Sequence, residues 1–526
     1  MSQRSRIRAF AVIAMLVATV TGAPAASAAP PTDTICAART NDNFKKLLEC
    51  VQLEGVREHQ AAFQAIADAN GGTRAAGTPG YDASVDYVVE TMTAAGYNVT
   101  LNSFPFVFLP PASLQQLTPV NATYATGAFT GSGSGDVTGT VVPVDINLVP
   151  PRANTSGCDG AFTEAAVGAP ILADPAGPDD FAGFVAGSIA LVQRGGCSFA
   201  LKGINAEAAG ASATILFNQG NTPDREPLII GTAVAPAGSA AAVAKPMVGA
   251  SFADGAALAQ PGSTARVNVP PAQNVTQHNV IAESIGGNPN NVVMAGAHLD
   301  SVIAGPGIND NGSGSAAILE TAEQLAKVKP RNKLRFAWWG AEEANLIGST
   351  AYVNGLSQAE KDKIALYLNF DMVGSPNHVF FIYDGDNSDG VGAPAGPAGS
   401  AQIEKTFERY FNSVGEPFKG TDFSGRSDYG PFIANGIPSG GLFTGAEGIK
   451  TAAEVAIWGG TAGQQYDPCY HLACDTFANN NDHALDVNSD AVAYGTLQYA
   501  MSTSDIDGAK GKGNFKLPPP EELPAQ

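Results

Sequence analysis

The sequence predicts an α/β protein, in which a mainly parallel, mixed β-sheet is flanked by helices and a β-rich α+β domain is inserted. From about residue 279, short apolar strand patterns alternate with helical patterns, which favours a parallel sheet covered on both faces. Between residues 110 and 272 the sequence instead consists of runs rich in Gly, Ala, Val and Pro, with short strand patterns. A chain of 526 residues is also too long for one hydrophobic core.

The boundaries follow from these changes in pattern. Residues 46–109 contain two helical patterns and one strand pattern, and they form the first part of a catalytic domain. Residues 110–272 form the inserted domain, and residues 273–505 complete the catalytic domain. Residues 29–45 are interpreted as a short pro-segment, and residues 506–526, rich in Lys, Pro and Glu, as a flexible tail.

Residues 1–28 have the pattern of a secretory signal peptide. Arginines at positions 4, 6 and 8 precede an apolar run, and Ala26-Ser27-Ala28 resembles a cleavage site with small residues. The protein is therefore expected to be secreted. Six cysteines in an exported chain favour disulfides. The tight loop between Cys469 and Cys474 predicts one pair, whereas the pairing of the other four cysteines stays open among the possible combinations.

Composition and charge describe an ordinary globular protein and argue against some partners. Apolar residues make up 44% of the chain and charged residues 15%. The net charge of −20 argues against nucleic acid or an anionic membrane as a partner. Separately, we expect the protein to be a monomer.

Chemically active side chains are concentrated around the strand pattern that ends near residue 295. His298, Asp300 and Asp310 lie in a glycine-rich turn between this strand and the next helical pattern. In an open α/β sheet, ligands bind at the carboxyl ends of strands. His298 and Asp310 are suitable metal ligands, and Asp300 is close enough to accept the other ring N–H of His298 and fix its tautomer.

Further candidate ligands follow the next strand patterns. Glu342 and Glu343 are adjacent at the end of one strand, so one can bind metal while the other faces the substrate. Asp371 follows the third strand, and His471 lies in the loop closed by the predicted disulfide.

Counting charges favours two metal ions. Two Zn²⁺ ions carry +4, which three carboxylates and one hydroxide balance, as a low-dielectric cleft requires. With Asp310 bridging the ions, each would have one histidine and one further carboxylate. Several hydrolases, aminopeptidases among them, use two metals ~3.5–4 Å apart.

This set of residues resembles peptidase family M28, the dizinc aminopeptidases, and in particular its secreted leucine-type members. The likeness covers about residues 46–105 and 276–502. It implies a zinc exopeptidase fold, with His298 and Asp371 on one zinc, Glu343 and His471 on the other, and Asp310 bridging both. It also implies that Glu342 is the general base and that Tyr470 hydrogen-bonds the oxyanion.

The resemblance implies further features. The loop that contains Arg426 matches a family segment near the substrate, and Asp486 and Asp490 match two ligands of a structural calcium ion. The inserted region resembles the protease-associated (PA) domain, on the basis of Val192-Gln-Arg-Gly-Gly-Cys-Ser-Phe199 and the following Lys-Gly-Ile-Asn-Ala run. We expect it to restrict or cover the substrate site.

The predicted function is that of a secreted zinc aminopeptidase acting on the N-termini of peptides or proteins, with a preference for large apolar, Leu-like first residues. One alternative is a dizinc carboxypeptidase or aminoacyl hydrolase of the same fold. A carboxypeptidase would need arginines for the substrate carboxylate, and the catalytic part offers few, chiefly Arg409 and Arg426. The other alternative is a non-catalytic peptide-binding relative, which would be expected to lack a ligand or the base.

Overall fold

The structure is a computed structural model that describes residues 34–153, 156–164, 170–174 and 179–506. The predicted signal peptide and residues 507–526 of the predicted tail lie outside the described residues. Among the helices that the structure describes, none has both the length and the apolar character needed to cross a bilayer.

The larger of two main sheets has eight strands and contains both parts of the predicted catalytic domain. Numbered in chain order through the whole protein, its strands are β1 (Asn98–Phe108), β11 (Gln273–Glu283), β12 (Asn288–His298), β13 (Asn332–Trp339), β14 (Ile364–Phe370), β15 (Phe381–Tyr383), β16 (Lys419–Thr421) and β17 (Ser439–Phe443). Their order across the sheet is β1-β11-β13-β12-β14-β17-β15-β16.

The centre of this sheet is parallel. Strands β13, β12, β14 and β17 run in the same direction, whereas β1, β11 and β15 each have antiparallel neighbours. The predicted mixed, mainly parallel sheet is therefore confirmed. Because β12 to β14 are buried along most of their length, they have apolar side chains on both faces, as parallel strands under helices do.

Helices cover both faces of the larger sheet. The helices in this part of the chain are α1 (Thr34–Ala38), α2 (Phe44–Leu48), α3 (Leu53–Ala69), α4 (Pro79–Ala94), α7 (Gly312–Leu325), α8 (Ile347–Gly355), α9 (Gln358–Lys361), α10 (Ser400–Val414), α11 (Tyr429–Ala434), α12 (Ala452–Trp458) and α13 (Asp482–Met501). Adjacent residues of β13 point to opposite faces of the sheet. Trp338 packs into the core that includes α3, α7 and α13, whereas Trp339 packs into the core that includes α8 and α11.

The inserted region forms a second sheet in the order β3-β2-β10-β4-β7-β8-β9. Its elements are β2 (Ser113–Thr118), β3 (Ala122–Tyr124), β4 (Gly135–Pro143), β5 (Phe162–Glu164), β6 (Ile171–Ala173), β7 (Ile189–Gln193), α5 (Phe199–Ala208), β8 (Ala213–Phe217), β9 (Met247–Ala250), α6 (Phe252–Leu258) and β10 (Thr264–Val269). Strands β7 and β8 are parallel and joined by α5, which confirms the β-α-β unit expected from the sequence.

Three disulfides join cysteines that are neighbours in sequence order. The predicted Cys469–Cys474 pair is confirmed, and the remaining cysteines pair as Cys36–Cys50 and Cys158–Cys197. The Cys36–Cys50 disulfide attaches the segment around α1 to the turn that follows α2. The assignment of residues 29–45 as a pro-segment stays a prediction.

Each of the two sheets has its own core. Among the described residues, no cluster of buried apolar side chains combines residues from the inserted region with residues from the catalytic domain. The inserted region leaves the larger sheet after β1 and returns at β11, where Phe108 and Gln273 are paired across an antiparallel ladder.

We therefore predict that the catalytic domain folds without the insertion. Replacing residues 109–272 by Asn-Gly, a two-residue hairpin turn, joins two ends that are already paired. The shortened protein should unfold cooperatively in calorimetry and keep the near-ultraviolet circular dichroism of its buried tryptophans. A product without fixed tertiary structure would contradict the independence of the two cores.

Candidate metal centre

The centre forms where three adjacent parallel strands end at one edge of the sheet. His298 is the last residue of β12, and Asp371 directly follows β14. Glu342 and Glu343 follow β13, the neighbour of β12 on its other side. The sheet topology thus brings together residues that are far apart in the sequence, as the sequence analysis expected for strand ends.

Two further residues approach this edge from loops. Asp310 lies just before α7, whose N-terminus is capped by the side chain of Asn311. The same Asn311 side chain bonds the backbone of Phe370 and Met372, so the start of α7 is fixed to the end of β14. His471 lies inside the loop closed by the Cys469–Cys474 disulfide.

The carboxylate of Asp310 lies between the two histidines. Its Oδ1 is 3.2 Å from Nε2 of His298, and its Oδ2 is 3.3 Å from Nε2 of His471. His298 Nε2 is also 3.4 Å from Asp371 Oδ1, and His471 Nε2 is 3.0 Å from Glu343 Oε2. Two groups of three ligand atoms therefore form, each within 4.8 Å and sharing Asp310: one with His298 and Asp371, the other with Glu343 and His471.

The chemistry of this donor set fits divalent metal ions. Imidazole nitrogens and carboxylate oxygens are the ligands that zinc accepts, and both histidines direct Nε2 towards the carboxylates. Glu343 supplies an independent observation, because its buried Oε1 has no hydrogen-bond partner. A buried carboxylate oxygen without a partner is costly, and a cation at this position would satisfy it.

Without a cation, the pKa values of the carboxylates in the centre shift in different directions. Burial raises the pKa of Glu343 to about 7 and that of Glu342 well above its ordinary value. Burial would also raise the pKa of Asp310, but hydrogen bonds to His298 and His471 bring it below its ordinary value. Burial and the neighbouring carboxylates thus disfavour the charged forms of Glu342 and Glu343, and a cation at this position would stabilise them.

Asp300 acts differently from the sequence prediction. The carboxylate of Asp300 was expected to accept the second ring N–H of His298, but His298 Nδ1 lies 3.0 Å from the backbone oxygen of Asp300 and 3.7 Å from its carboxylate. The carboxylate instead accepts the backbone N–H groups of Glu342 and Glu343 at 3.1 and 3.4 Å. Asp300 thus orients the histidine through its carbonyl group and the glutamate pair through its side chain.

Asp475 is a positioning residue that the sequence analysis did not assign. Its buried carboxylate accepts the backbone N–H groups of Asn309 and Asp310 at 2.8 and 2.9 Å. Burial, together with the neighbouring Asp467, raises the pKa of Asp475 to about 8. The position next to Cys474 was the available signal, because a disulfide that fixes His471 also fixes the residue that follows it.

A chain of buried hydrogen bonds holds Asp371. Trp339 Nε1 donates to Tyr367 OH, which donates to the side chain of Asn369 at 3.0 Å. Asn369 Nδ2 donates to Ser427 Oγ at 2.8 Å, and Ser427 donates to Asp371 Oδ2. Hydrogen-bonded carboxylate ligands keep their orientation better than free ones. Asn369 lies two residues before Asp371 and Ser427 lies in the loop that contains Arg426, but their pairing depends on the fold.

A buried arginine fixes the loop between His298 and Asp310. Arg74 has no exposed surface, and its guanidinium donates to the backbone carbonyls of Leu299, Pro306 and Gly307. Burial lowers the pKa of Arg74 to about 10, although three carboxylates nearby favour its charged form. The planar guanidinium has enough donors to satisfy three carbonyls at once.

Three residues of the centre have backbone conformations that are unfavourable for their side chains. Ala341, Met372 and His471 have φ values of 54°, 51° and 59°. Each such residue costs on the order of 1–3 kcal/mol, and such residues concentrate at functional sites. Ala341 directly precedes Glu342, Met372 directly follows Asp371, and His471 is itself a candidate ligand.

The centre opens into a cavity of about 350 Å³. Tyr470 and Arg426 stand at its rim, where Arg426 pairs with Glu447 at 2.7 Å and donates to the Tyr470 hydroxyl at 3.1 Å. The Tyr470 ring stacks on His471 with centroids 3.8 Å apart. Its hydroxyl therefore accepts one hydrogen bond and keeps its own proton available for a substrate oxygen.

The structure does not bring Asp486 and Asp490 into a metal-binding group. Both lie on α13, Asp490 buried and Asp486 half-buried near Glu54. Neither belongs to the groups of described residues that place three possible ligand atoms within 4.8 Å. The calcium site stays a prediction.

Comparison with known proteins agrees with this geometry. The sequence pattern of "Peptidase family M28" matches residues 279–496, and that of the "PA domain" matches residues 137–258. An "Aminopeptidase" of Pseudomonas aeruginosa is 49% identical over 88% of this chain and 83% of its own length. The chain belongs to peptidase family M28. It is an M28 aminopeptidase that carries a PA domain.

Two further M28-like proteins are similar to this chain. A "Probable leucine aminopeptidase 2" of Aspergillus fumigatus is 46% identical over 62% of this chain and 65% of its own length. The solved structure of BSAP, a zinc aminopeptidase from Bacillus subtilis, aligns with a TM-score of 0.57 at 23% identity, over 88% of this chain and 99% of that chain. The last comparison shows that the fold is shared.

We predict that Ser427→Ala weakens metal binding without unfolding the protein. Loss of the hydroxyl leaves Asp371 free to rotate, and loss of such a supporting hydrogen bond typically costs about 10- to 100-fold in metal affinity. Competition with a chelating zinc indicator measures the dissociation constants. Ser424→Ala, which removes an exposed hydroxyl from the same loop, is the matched control and should bind as the wild type does. Equal affinities for all three proteins would contradict this role of Ser427.

Proposed function

We propose that this zinc-dependent aminopeptidase is secreted, binds two zinc ions, and releases large apolar, leucine-like residues from the N-termini of peptides. The geometry of Asp310 carries the dizinc proposal, because its two oxygens face two different histidines in two separate ligand groups. A single-metal site would not need a carboxylate between two such groups.

In this proposal His298 and Asp371 would hold one ion, Glu343 and His471 would hold the other, and both ions would share Asp310. Bound zinc lowers the pKa of water and polarises a carbonyl group. The protein itself fixes the candidate ligands by hydrogen bonds with the side chains of Asp300, Asp475 and Ser427. The same contacts keep the ligands from turning towards solvent.

Glu342 is the general base in this mechanism. It is buried, lines the cavity, and lies 4.0 Å from His298 Nε2 without belonging to either ligand group. From this position the Glu342 carboxylate can take a proton from water and pass it to the departing amine. Tyr470 donates its hydroxyl hydrogen bond to the developing oxyanion.

The cavity also suits a substrate with a free amine and an apolar first side chain. Glu342 and Asp371 present carboxylate oxygens that can accept the α-ammonium group. Beyond them the cavity wall is largely apolar and aromatic, with Met372, Phe381, Tyr383, Phe443 and Tyr466. The relative named as a probable leucine aminopeptidase supports the preference for leucine-like residues.

The two alternatives have less support. A carboxypeptidase needs a free arginine for the substrate carboxylate, but Arg426 is already paired with Glu447 and Tyr470. A binding protein without activity would be expected to lack a ligand or the base, whereas all five ligands and Glu342 are present. Secretion rests on the pattern of residues 1–28, and calcium binding rests on Asp486 and Asp490 alone.

Hydrolysis of leucine p-nitroanilide and of its N-acetylated form tests the proposed function. The purified enzyme should cleave only the substrate with the free amine, and a chelator should abolish this activity until zinc is restored. Cleavage of the acetylated substrate at a comparable rate would contradict recognition of the α-ammonium group.

Replacement of Glu342 separates proton transfer from metal binding. Because Glu342 lies outside both ligand groups, Glu342→Ala should keep the zinc content of the wild type and lose about 10²–10⁴-fold in kcat. Zinc content by elemental analysis and kcat on leucine p-nitroanilide are the two measurements. A variant with near-normal kcat would rule out Glu342 as the base.

A further inference from the structure

The cavity continues past the metal centre to the edge of the larger sheet. His298 and Asp371 belong to the ends of β12 and β14, whereas Phe443 belongs to β17 and Phe381 and Tyr383 to β15. The cavity wall also includes Thr421, the last residue of the edge strand β16, and Asp422, which directly follows it. The first-residue pocket therefore runs across five neighbouring strands, from the metal ligands to this edge.

Asp422 is a carboxylate in an otherwise mainly aromatic part of the pocket. It is half-buried, and its Oδ2 accepts the backbone N–H of Ala393 at 3.2 Å. Among the residues that the structure describes, no lysine, arginine or histidine lies within ion-pair distance of Asp422. The nearest cations of the pocket and of β16 are engaged elsewhere, Arg426 by Glu447 and Lys419 by Glu454.

Other acidic side chains near Asp422 make the electrostatic potential at this edge of the sheet more negative. The carboxylate of Asp389 lies against Gly420 of the same strand, where an added Cβ would meet its Oδ2. Asp384 and Asp386, in the loop after β15, are close to each other and to Glu404. Lys405 contacts Asp386 at 3.5 Å and is the one cation paired with this group in the described part of the chain. The edge of the sheet is thus acidic, which favours a cation in the pocket.

The distance across the strands suits a long side chain. Three strand spacings separate β14 from β16, which amounts to roughly 14 Å between the backbones of Asp371 and Asp422. Asp371 lines the cavity at the metal centre and Asp422 lines it at the sheet edge, where the Asp422 Oδ2 lies against Gly392 and accepts the N–H of Ala393. A branched leucine side chain leaves the far end unfilled, whereas the four-carbon stem of lysine reaches towards Asp422.

We propose that Asp422 makes the first-residue pocket accept lysine and arginine as well as apolar residues, by pairing with the cationic end of the substrate's first side chain. The aliphatic stem would pack on Phe381 and Tyr383, whose rings also attract a cation. This inference rests on the proposed aminopeptidase function and adds a substrate class to it. Asp422 is a specificity-determining residue and takes no part in the reacting centre.

A comparison of lysine with norleucine tests the proposal, because norleucine has the same stem without the ammonium group. The ratio of kcat/KM for the two aminomethylcoumarin amides is measured for the wild type and for Asp422→Asn. The variant should lower kcat/KM for lysine by about 10- to 100-fold and change that for norleucine less than about twofold. An unchanged ratio would overturn the proposal, whereas failure to cleave even norleucine in the wild type would refute the aminopeptidase function itself.

Two further proteins and one condition make the result specific. Asp386→Asn removes a charge from the same edge but not from the cavity wall, and its ratio should stay within about twofold of the wild type. Asp422→Glu keeps the charge and should keep most of the lysine activity. If Asp422→Asn does not fold, the salt dependence of the wild type tests the proposal instead. About 0.5 M NaCl should screen the attraction between Asp422 and the lysine side chain and so lower the ratio of kcat/KM for lysine to that for norleucine. A ratio that does not change with salt would then overturn the proposal.

Discussion

The structure depends on one electrostatic constraint, which is the confinement of Asp310, Glu342, Glu343 and Asp371 at a single edge of a buried sheet. Like charges in a low-dielectric site repel one another strongly, and a carboxylate loses its hydration when it is buried. Burial, together with the charge of Asp310, raises the pKa of Glu343 to about 7, and the two histidines oppose only part of this shift. The two divalent ions that we propose would neutralise the group, and the arrangement of the candidate ligands in two sets that share Asp310 fits that proposal.

The rest of the fold supplies the rigidity that this arrangement needs. Parallel strands β13, β12 and β14 set the spacing of the ligands, and the polar contacts of Arg74, Asp300, Asp475 and Ser427 fix the loops between them. Unfavourable φ values at Ala341, Met372 and His471 show that these loops are held by their surroundings, because an isolated turn would relax. The PA domain has a separate core and leaves this framework intact.

The sequence predicted the parallel sheet, the disulfide around His471 and the residues of the centre, because each ligand follows a strand pattern or lies in a recognisable turn. It did not predict how supporting residues pair. The bond from Asp310 to Asp475 spans 165 positions, and that from Ser427 to Asp371 spans 56. The altered role of Asp300 depends on the path of the chain after β13, which no local pattern determines. Asp422 lines the pocket only because β16 pairs with β15 at the edge of the sheet, which no local pattern determines.

Anomalous diffraction from crystals of the zinc-loaded enzyme, recorded at the zinc edge, tests the central claim most directly. The account predicts two peaks ~3.5–4 Å apart, one beside His298 and Asp371 and the other beside Glu343 and His471, with an oxygen of Asp310 bound to each. A single peak, or two peaks of which only one contacts Asp310, would contradict the bridging role on which the proposed dizinc function depends.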